Sequence, residues 1–129
     1  MKHYSIFHIG PIALLGIQED IDDQEILELQ QKITEAVKVK NIKGVLVDLS
    51  QVEIVDSFLA DNLKELALSL EALETRMVVS GLKASAIVAL KSLDLGFDKR
   101  FVFALDPCRG LEELGFSLVS HSGTKIYSG

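Results

Sequence analysis

Residues whose side chains could support metal or cofactor chemistry are few in this chain. Its histidines, His3, His8 and His121, lie near the two ends without the spacing of metal ligands. The one cysteine, Cys108, cannot form a thiolate metal site alone. The two common phosphate-binding loops, G-x-x-x-x-G-K-[ST] and G-x-G-x-x-G after a strand, are absent. The sequence therefore predicts neither a metal site nor a bound cofactor.

Cys108 is the candidate nucleophilic thiol. It is predicted in the first turn of a short helix, where the positive end of the helix dipole lowers the pKa of a thiol. A catalytic thiol also needs a positioned base, and no histidine or second cysteine lies near Cys108 in the sequence. A packed or exposed thiol is therefore the favoured interpretation. An enzyme that uses Cys108 or Ser57 as its nucleophile is the minor alternative.

The most informative segment is the junction VDLSQVEIVDSFLAD, residues 47–61. It joins a strand predicted to be buried to a helix with a stripe of leucines. Asp56 and Ser57 occupy the position of a helix N-cap, and one interpretation is that they do no more than cap the helix. The other interpretation is that the serine is phosphorylated and acts as a switch on the surface. A serine at a helix start is usually accessible, and a phosphate placed there meets unpaired N–H groups and the favourable end of the dipole.

A run of acidic residues precedes the first predicted helix and continues into it. Such a run is usually a solvated face. The alternative is an acidic docking surface that attracts a basic partner and weakens with salt. The acids are Glu19, Asp20, Asp22, Asp23, Glu25 and Glu28.

Strand and helix patterns alternate along the chain and must position the junction. Apolar segments divided by Gly10-Pro11 predict paired strands, and Asp22 with Glu25 forms a capping-box pattern that predicts a helix start. The order β-β-α-β-α-β-α-β-α predicts an α/β fold with a mixed, mostly parallel sheet flanked by helices. The almost wholly apolar strand at 44–50 is expected in its centre. The predicted strands are 5–9, 12–17, 44–50, 77–80 and 101–105. The first predicted helix begins near residue 22, and the other three span about 57–73, 84–93 and 106–114.

Length and charge limit the class of protein. The 129 residues predict a single domain over 1–115, followed by a polar and poorly ordered tail at 116–129. A formal net charge of −6 disfavours nucleic-acid binding. The N-terminus lacks the pattern of a secretion signal, and no apolar run reaches the roughly 18 residues of a membrane span. A cytoplasmic protein without direct membrane insertion is expected.

The junction VDLSQVEIVDSFLAD resembles the STAS domain family, named for sulfate transporters and anti-sigma-factor antagonists. That family has a buried strand ending in D-L-S/T, a short loop, and an Asp-Ser/Thr pair that opens a helix. The resemblance covers nearly all of residues 5–115. The continuation from Asp56 to Ala60 and the later segment GLKASAIVALKSLDLGF are most similar to the RsbS group of stressosome scaffolds.

This resemblance implies a non-enzymatic STAS fold that binds a serine kinase of the RsbT type and releases it when Ser57 is phosphorylated. It also implies RsbR-like co-scaffold proteins as partners, in a large homo- or hetero-oligomer. The residues expected to bind partners are Asp56, Phe58, Glu53 and Asp61. Two alternatives stay open, namely a STAS subunit of a membrane transporter complex and an anti-sigma-factor antagonist with a single partner.

Overall fold

Eleven elements follow one another in the computed structural model, which describes residues 2–92, 102–115, 117–121 and 124–128. The strands are β1 (Tyr4–Ile9), β2 (Ile12–Gln18), β3 (Gly44–Gln51), β4 (Arg76–Ser80), β5 (Val102–Ala104), β6 (Ser117–His121) and β7 (Thr124–Ser128). The helices are α1 (Asp23–Lys40), α2 (Ser57–Ala72), α3 (Ala84–Ser92) and α4 (Pro107–Glu113).

The first five strands form one mixed sheet in the order β1-β2-β3-β4-β5. β1 pairs with β2 antiparallel, and the pairs β2–β3, β3–β4 and β4–β5 are all parallel. A helix joins the two strands of each parallel pair, and each new strand is added at the same edge of the growing sheet. Because such crossovers are right-handed, α1, α2 and α3 are placed on one face of the sheet. β3 lies in the centre, as its apolar sequence predicts.

Apolar side chains form a separate cluster on each face of the sheet. The larger cluster joins α1 and α2 to β2, β3 and β4, and it includes Leu15, Ile33, Val47 and Leu63. The smaller cluster lies under α4 and includes Leu111 with Leu46. Helix α4 comes so close to β3 that a Cβ on its Gly110 would stand 2.4 Å from a methyl carbon of Leu46. The sheet is therefore covered on both faces around β3, the strand that leads to the junction.

The predicted capping box at the start of α1 is confirmed. The Asp22 carboxylate accepts from the Glu25 backbone N–H at 2.8 Å, and the Glu25 carboxylate accepts from the Asp22 N–H at 3.3 Å. Helix α1 ends at Lys40, and the capping residue Asn41 has a φ of 53°, the left-handed conformation that stops a helix. The period of the sequence and its capping residues together account for the length of α1.

The observed elements agree with the predicted order, and the predicted α/β class is confirmed. The predicted helix end at Leu93 and strand start at Phe101 lie outside the described residues. Two further strands follow α4, beyond the nine predicted elements. Strands β6 and β7 pair antiparallel there, from Ser117 opposite Ser128 to His121 opposite Thr124. The domain boundary at residue 115 and the poor order of the tail at 116–129 stay predictions.

No helix within the described ranges combines the length and the apolar character that crossing a membrane requires.

Candidate functional site

The loop that joins β3 to α2 is fixed by two valines. Val52 and Val55 are each 2% exposed and belong to the larger core cluster. Between them, Glu53 and Ile54 are exposed, and Ile54 reaches 72%. A turn precedes the pair, in which the Val52 N–H donates to the Leu49 carbonyl at 2.9 Å. The loop therefore presents a short segment to solvent from a fixed base.

Asp56 caps helix α2. Its carboxylate accepts from the Leu59 N–H at 2.8 Å, and its carbonyl accepts the first helical bond from the Ala60 N–H at 3.0 Å. Ser57 is the first residue of the helix and is exposed. The sequence places both Asp56 and Ser57 at the cap, and the structure gives that position to Asp56. The Ser57 hydroxyl is therefore not needed to start the helix.

The other predicted partner residues surround Ser57 in different ways. Asp61 is exposed one helical turn after Ser57, at the i+4 spacing that places two side chains on one helix face. Phe58 is half-buried and packs against the larger core cluster. Its carbonyl accepts from the Asn62 side-chain amide at 2.8 Å. Phe58 therefore holds the first turn of α2 on the core, while Asp61 faces solvent beside Ser57.

Residues around the start of α3 hold the loop from the other side. The Lys83 ammonium donates to the Ser50 carbonyl at 2.6 Å and lies 3.6 Å from the Glu53 carboxylate. The Ser85 hydroxyl donates to the Glu53 carbonyl at 3.4 Å. The Glu53 N–H donates to the Glu19 carboxylate, which follows β2. The exposed part of the loop is thus tied to the segments that follow β2 and β4.

Asp48 joins the carboxyl ends of β3 and β4. Its carboxylate accepts from the Ser50 hydroxyl at 2.8 Å, from the Ser50 N–H at 3.3 Å and from the Ser80 hydroxyl at 3.2 Å. Gly81, which follows β4, has a φ of +76° and passes so close that a Cβ would stand 2.6 Å from the Asp48 carboxylate. Main chain and carboxylate are therefore packed tightly just before the loop begins.

Acidic side chains dominate the surface around Ser57. Glu53, Asp56 and Asp61 are exposed, and so is Glu19 beside the loop, whereas Lys83 supplies a positive charge at its base. A phosphate on Ser57 would add about −1.5 to −2 charges to this surface at neutral pH. The local potential would change strongly while the buried valines and the Asp56 cap stay in place.

The structure also shows residues that the sequence analysis missed, namely Lys83, Ser85, Asp48 and Ser80. They are functional in the sense that they hold the loop. A signal for them exists, because the carboxyl ends of neighbouring parallel strands meet at one edge of a sheet, where α/β proteins build their sites. Asp48 lies in the last four residues of β3, Ser80 ends β4, and Lys83 follows within three residues of Ser80.

The candidate residues for other chemistry lie elsewhere. Cys108 is exposed in the first turn of α4. His3 contacts the Glu25 carboxylate, and His8 lies 3.5 Å from the Lys40 ammonium. His121 lies in β6. In the described part of the chain, no group of three or more histidine, cysteine, aspartate or glutamate residues could hold a metal ion.

Resolved pKa shifts among the described residues fall beside β1 and α1 rather than at the loop. Hydrogen bonds from the backbone and side chain of His3 lower the pKa of Glu25 to about 2. Bonds from Lys2, Tyr4 and Lys32 lower the pKa of Glu28 to about 2. Both carboxylates attach the N-terminal strand to α1. These shifts therefore report a structural contact, with the acidic run serving partly to fix β1.

Comparison with known proteins gives a consistent result. The family profile of the STAS domain matches residues 4–104. A serine-to-glutamate variant of RsbS from Moorella thermoacetica is 25% identical, with a TM-score of 0.77 over 88% of this chain and 96% of that chain. A structure describing the molecular architecture of the stressosome, a signal integration and transduction hub, is 27% identical, with a TM-score of 0.74 over 86% and 96%.

The Bacillus protein SpoIIAA shares the fold at lower identity. Its unphosphorylated form is 12% identical, with a TM-score of 0.63 over 78% of this chain and 86% of that chain. Its phosphorylated form is 13% identical, with a TM-score of 0.62 over 78% and 90%. No curated protein sequence matches the chain. The resemblance that the junction residues carry is confirmed, because the profile spans the sheet from β1 to β5 together with the loop before α2, and the chain belongs to the STAS domain family.

Proposed function

We propose that this STAS domain is a non-enzymatic stressosome scaffold or antagonist that binds a serine kinase of the RsbT type and releases it when Ser57 is phosphorylated. The observation that carries the proposal is the state of Ser57, which is exposed at the start of α2 while Asp56 makes the cap. A kinase needs an accessible hydroxyl, and this one serves no structural bond at the helix start that its modification would break.

Modification at this position needs no refolding. Phosphoserine in the first turn of a helix is stabilised by the positive end of the dipole and by the N–H groups that the helix leaves unpaired. The unphosphorylated and the phosphorylated form of SpoIIAA both share the fold of this chain, with TM-scores of 0.63 and 0.62, which supports this step.

Release would follow from electrostatics and desolvation. The added charge joins Glu53, Asp56 and Asp61 on one exposed surface. A partner that covers this surface must remove water from the phosphate and accept the repulsion between like charges. A coupling free energy of about 1 to 3 kcal/mol changes an affinity roughly 5- to 150-fold, which is enough to release a partner.

The proposed setting is a cytoplasmic assembly with RsbR-like co-scaffold proteins. The relatives of highest similarity described above support it, since one is RsbS and the other is a stressosome structure. A scaffold role also agrees with the site, which consists of the Asp56 helix cap and the hydrogen bonds that hold the loop before α2. On this proposal the chain acts by binding, and the kinase supplies the chemistry.

The direct test is a phosphorylation assay. The full chain is incubated with the RsbT-type kinase of its source organism and ATP, and the modified residue is mapped by mass spectrometry. We expect one phosphate, on Ser57, that is lost in Ser57→Ala and kept in the matched control Ser69→Ala on the same helix. An unmodified Ser57, with a kinase shown to be active on another substrate, contradicts the proposal.

A second test follows the kinase itself. The chain is mixed with an RsbR-like partner and the kinase, and the complexes are separated by size-exclusion chromatography. We expect a large complex that retains the kinase, and loss of the kinase when the chain is phosphorylated or carries Ser57→Asp. The phosphorylated chain is the stronger reagent, because Asp has less charge and fewer acceptor oxygens than phosphoserine. Unchanged retention by the phosphorylated chain contradicts release.

A further inference from the structure

Ile54 stands out on the loop before Ser57. It is 72% exposed between two buried valines, so that the loop turns a large apolar side chain toward solvent. Exposure alone decides nothing, because single exposed apolar residues are common on protein surfaces. Val39, near the end of α1, is exposed to 71%. Ile54 differs from Val39 in that it lies three residues before Ser57 on a loop whose main chain is held on both sides.

The main chain on both sides of Ile54 is fixed. Val52 and Val55 anchor the loop in the core, and the Glu53 peptide is held through its N–H by Glu19 and through its carbonyl by Ser85. An ordered loop loses little conformational entropy when a partner binds it. Ile54 is therefore a preorganised apolar contact, three residues before the proposed phosphoacceptor.

A second exposed apolar residue lies across the Ser85 contact. Val88 is 66% exposed on α3, and it follows Ser85 at the i+3 spacing that places two side chains on one helix face. Ala86, between them in sequence, turns inward and is 1% exposed. Ser85 touches Glu53, Ile54 follows Glu53, and Val88 lies one helical turn after Ser85. The two exposed residues therefore belong to segments that this contact joins.

The charges around this pair indicate the chemistry of its partner. Glu53 carries a side chain that is 68% exposed, and Asp56 and Glu19 are exposed nearby. An apolar centre with an acidic border is complementary to an apolar cleft with a basic border. A second copy of the chain would bring the same acids against them, and the chain carries a formal charge of −6. The favoured occupant is therefore a basic surface on another protein.

We propose that Ile54, supported by Val88, is the apolar anchor through which the kinase recognises this chain before it modifies Ser57. The inference rests on the proposed function and adds a specificity determinant to it. The kinase surface that takes Ile54 is an apolar cleft bordered by lysine or arginine side chains. Binding there brings the Ser57 hydroxyl, three residues after Ile54, to the kinase active site.

The test compares steady-state phosphorylation of Ser57 in the full-length chain and three variants. Ile54→Ala and Val88→Ala shorten the two proposed contacts, and Val39→Ala is the control with matched exposure on α1. We expect KM to rise roughly tenfold for Ile54→Ala and about threefold for Val88→Ala, with kcat within about twofold of wild type. Val39→Ala should match wild type. Ile54→Val, which keeps most of the apolar surface, should recover most of the affinity.

Four results would overturn this inference. If the KM of Ile54→Ala stays within about twofold of wild type, Ile54 is not the anchor. Phosphorylation of Ser57, and with it the proposed function, is unaffected by that result. An equal rise for Val39→Ala shows a general effect of apolar surface. A change in oligomer size with an unchanged KM assigns the surface to contacts between copies. If an active kinase leaves wild-type Ser57 unmodified, the proposed function fails together with the inference.

Discussion

The Lys83 ammonium donates a hydrogen bond of 2.6 Å to the main-chain carbonyl of Ser50. These residues are far apart in sequence, one just before α3 and the other near the end of β3. The contact joins the segment after β4 to the strand that leads into the loop before α2. The same ammonium lies 3.6 Å from the Glu53 carboxylate, so that one cation serves both ends of the segment 50–53.

Lys83→Ala is expected to loosen the loop while leaving the fold intact. An exposed ion pair contributes little to global stability, so the free energy of unfolding should fall by less than about 1 kcal/mol. The lost bond to Ser50 acts locally, and amide hydrogen exchange in the segment 51–55 should accelerate roughly 2- to 10-fold. Lys38→Ala, on the exposed end of α1, is the control and should leave that exchange unchanged. Equal exchange in wild type and Lys83→Ala would show that the valines alone hold the loop.

Asp56 and Ser57 should differ sharply when each is replaced by alanine. Asp56→Ala removes the carboxylate that accepts from the Leu59 N–H, and the loss of an N-cap costs about 1 kcal/mol in the free energy of unfolding. Ser57→Ala leaves the cap in place and should change stability by less than about 0.5 kcal/mol. Urea denaturation of the two variants and wild type measures the difference. A larger loss in Ser57→Ala would mean that the serine has a structural role.

The elements and the centre of the sheet were predictable from sequence, while the ties across the loop were not. Apolar periodicity reports which face of a helix or strand is buried, and this determines α1, α2 and β3. The contact from Lys83 to Ser50 depends on the register of β3 against β4, which periodicity does not report. A shift of two residues keeps the same face of a strand buried, so the alternation of apolar residues does not decide between such registers.

The C-terminal segment carries two sequence signals that point in different directions. The sequence SHSGTKIYSG is small and polar, which is typical of a frayed end. Ser122-Gly123 nevertheless divides two short segments in a pattern typical of a hairpin. Strands β6 and β7 follow that pattern. Composition alone therefore does not describe this segment, because the turn signal agrees with the pairing of β6 with β7.

Gly81 and Gly115 provide a matched test of close packing at the site. Both have a positive φ, +76° and +90°, so alanine at either position costs about 1 to 2 kcal/mol of backbone strain. A Cβ at Gly115 meets open space, whereas one at Gly81 would stand 2.8 Å from the Ser50 nitrogen and 2.6 Å from the Asp48 carboxylate. Gly81→Ala should therefore lose about 1 to 3 kcal/mol more than Gly115→Ala in urea denaturation. Equal losses would show that strands β3 and β4 separate easily at this edge.

Glu25 should make the stability of the protein depend on acid pH. Its carboxylate accepts from the His3 N–H at 2.8 Å and contacts the His3 ring at 2.9 Å, and these bonds lower its pKa from 4.5 to about 2. The unfolded chain therefore binds more protons than the folded chain between these values, so stability falls as pH falls from about 5 to 2. Glu28, whose pKa is also about 2, acts in the same direction.

Glu25→Gln isolates this contribution, because glutamine keeps the shape of the side chain and cannot titrate. Thermal unfolding followed from about pH 6 down to pH 2 should show a smaller decrease of Tm for Glu25→Gln than for wild type, since one proton-linked contact is gone. Glu35→Gln, exposed on the same helix, is the control and should follow the wild-type curve. Parallel curves for wild type and Glu25→Gln would show that the contact between His3 and Glu25 does not persist in solution, and β1 would then depend on its pairing with β2 and on the bonds of Glu28.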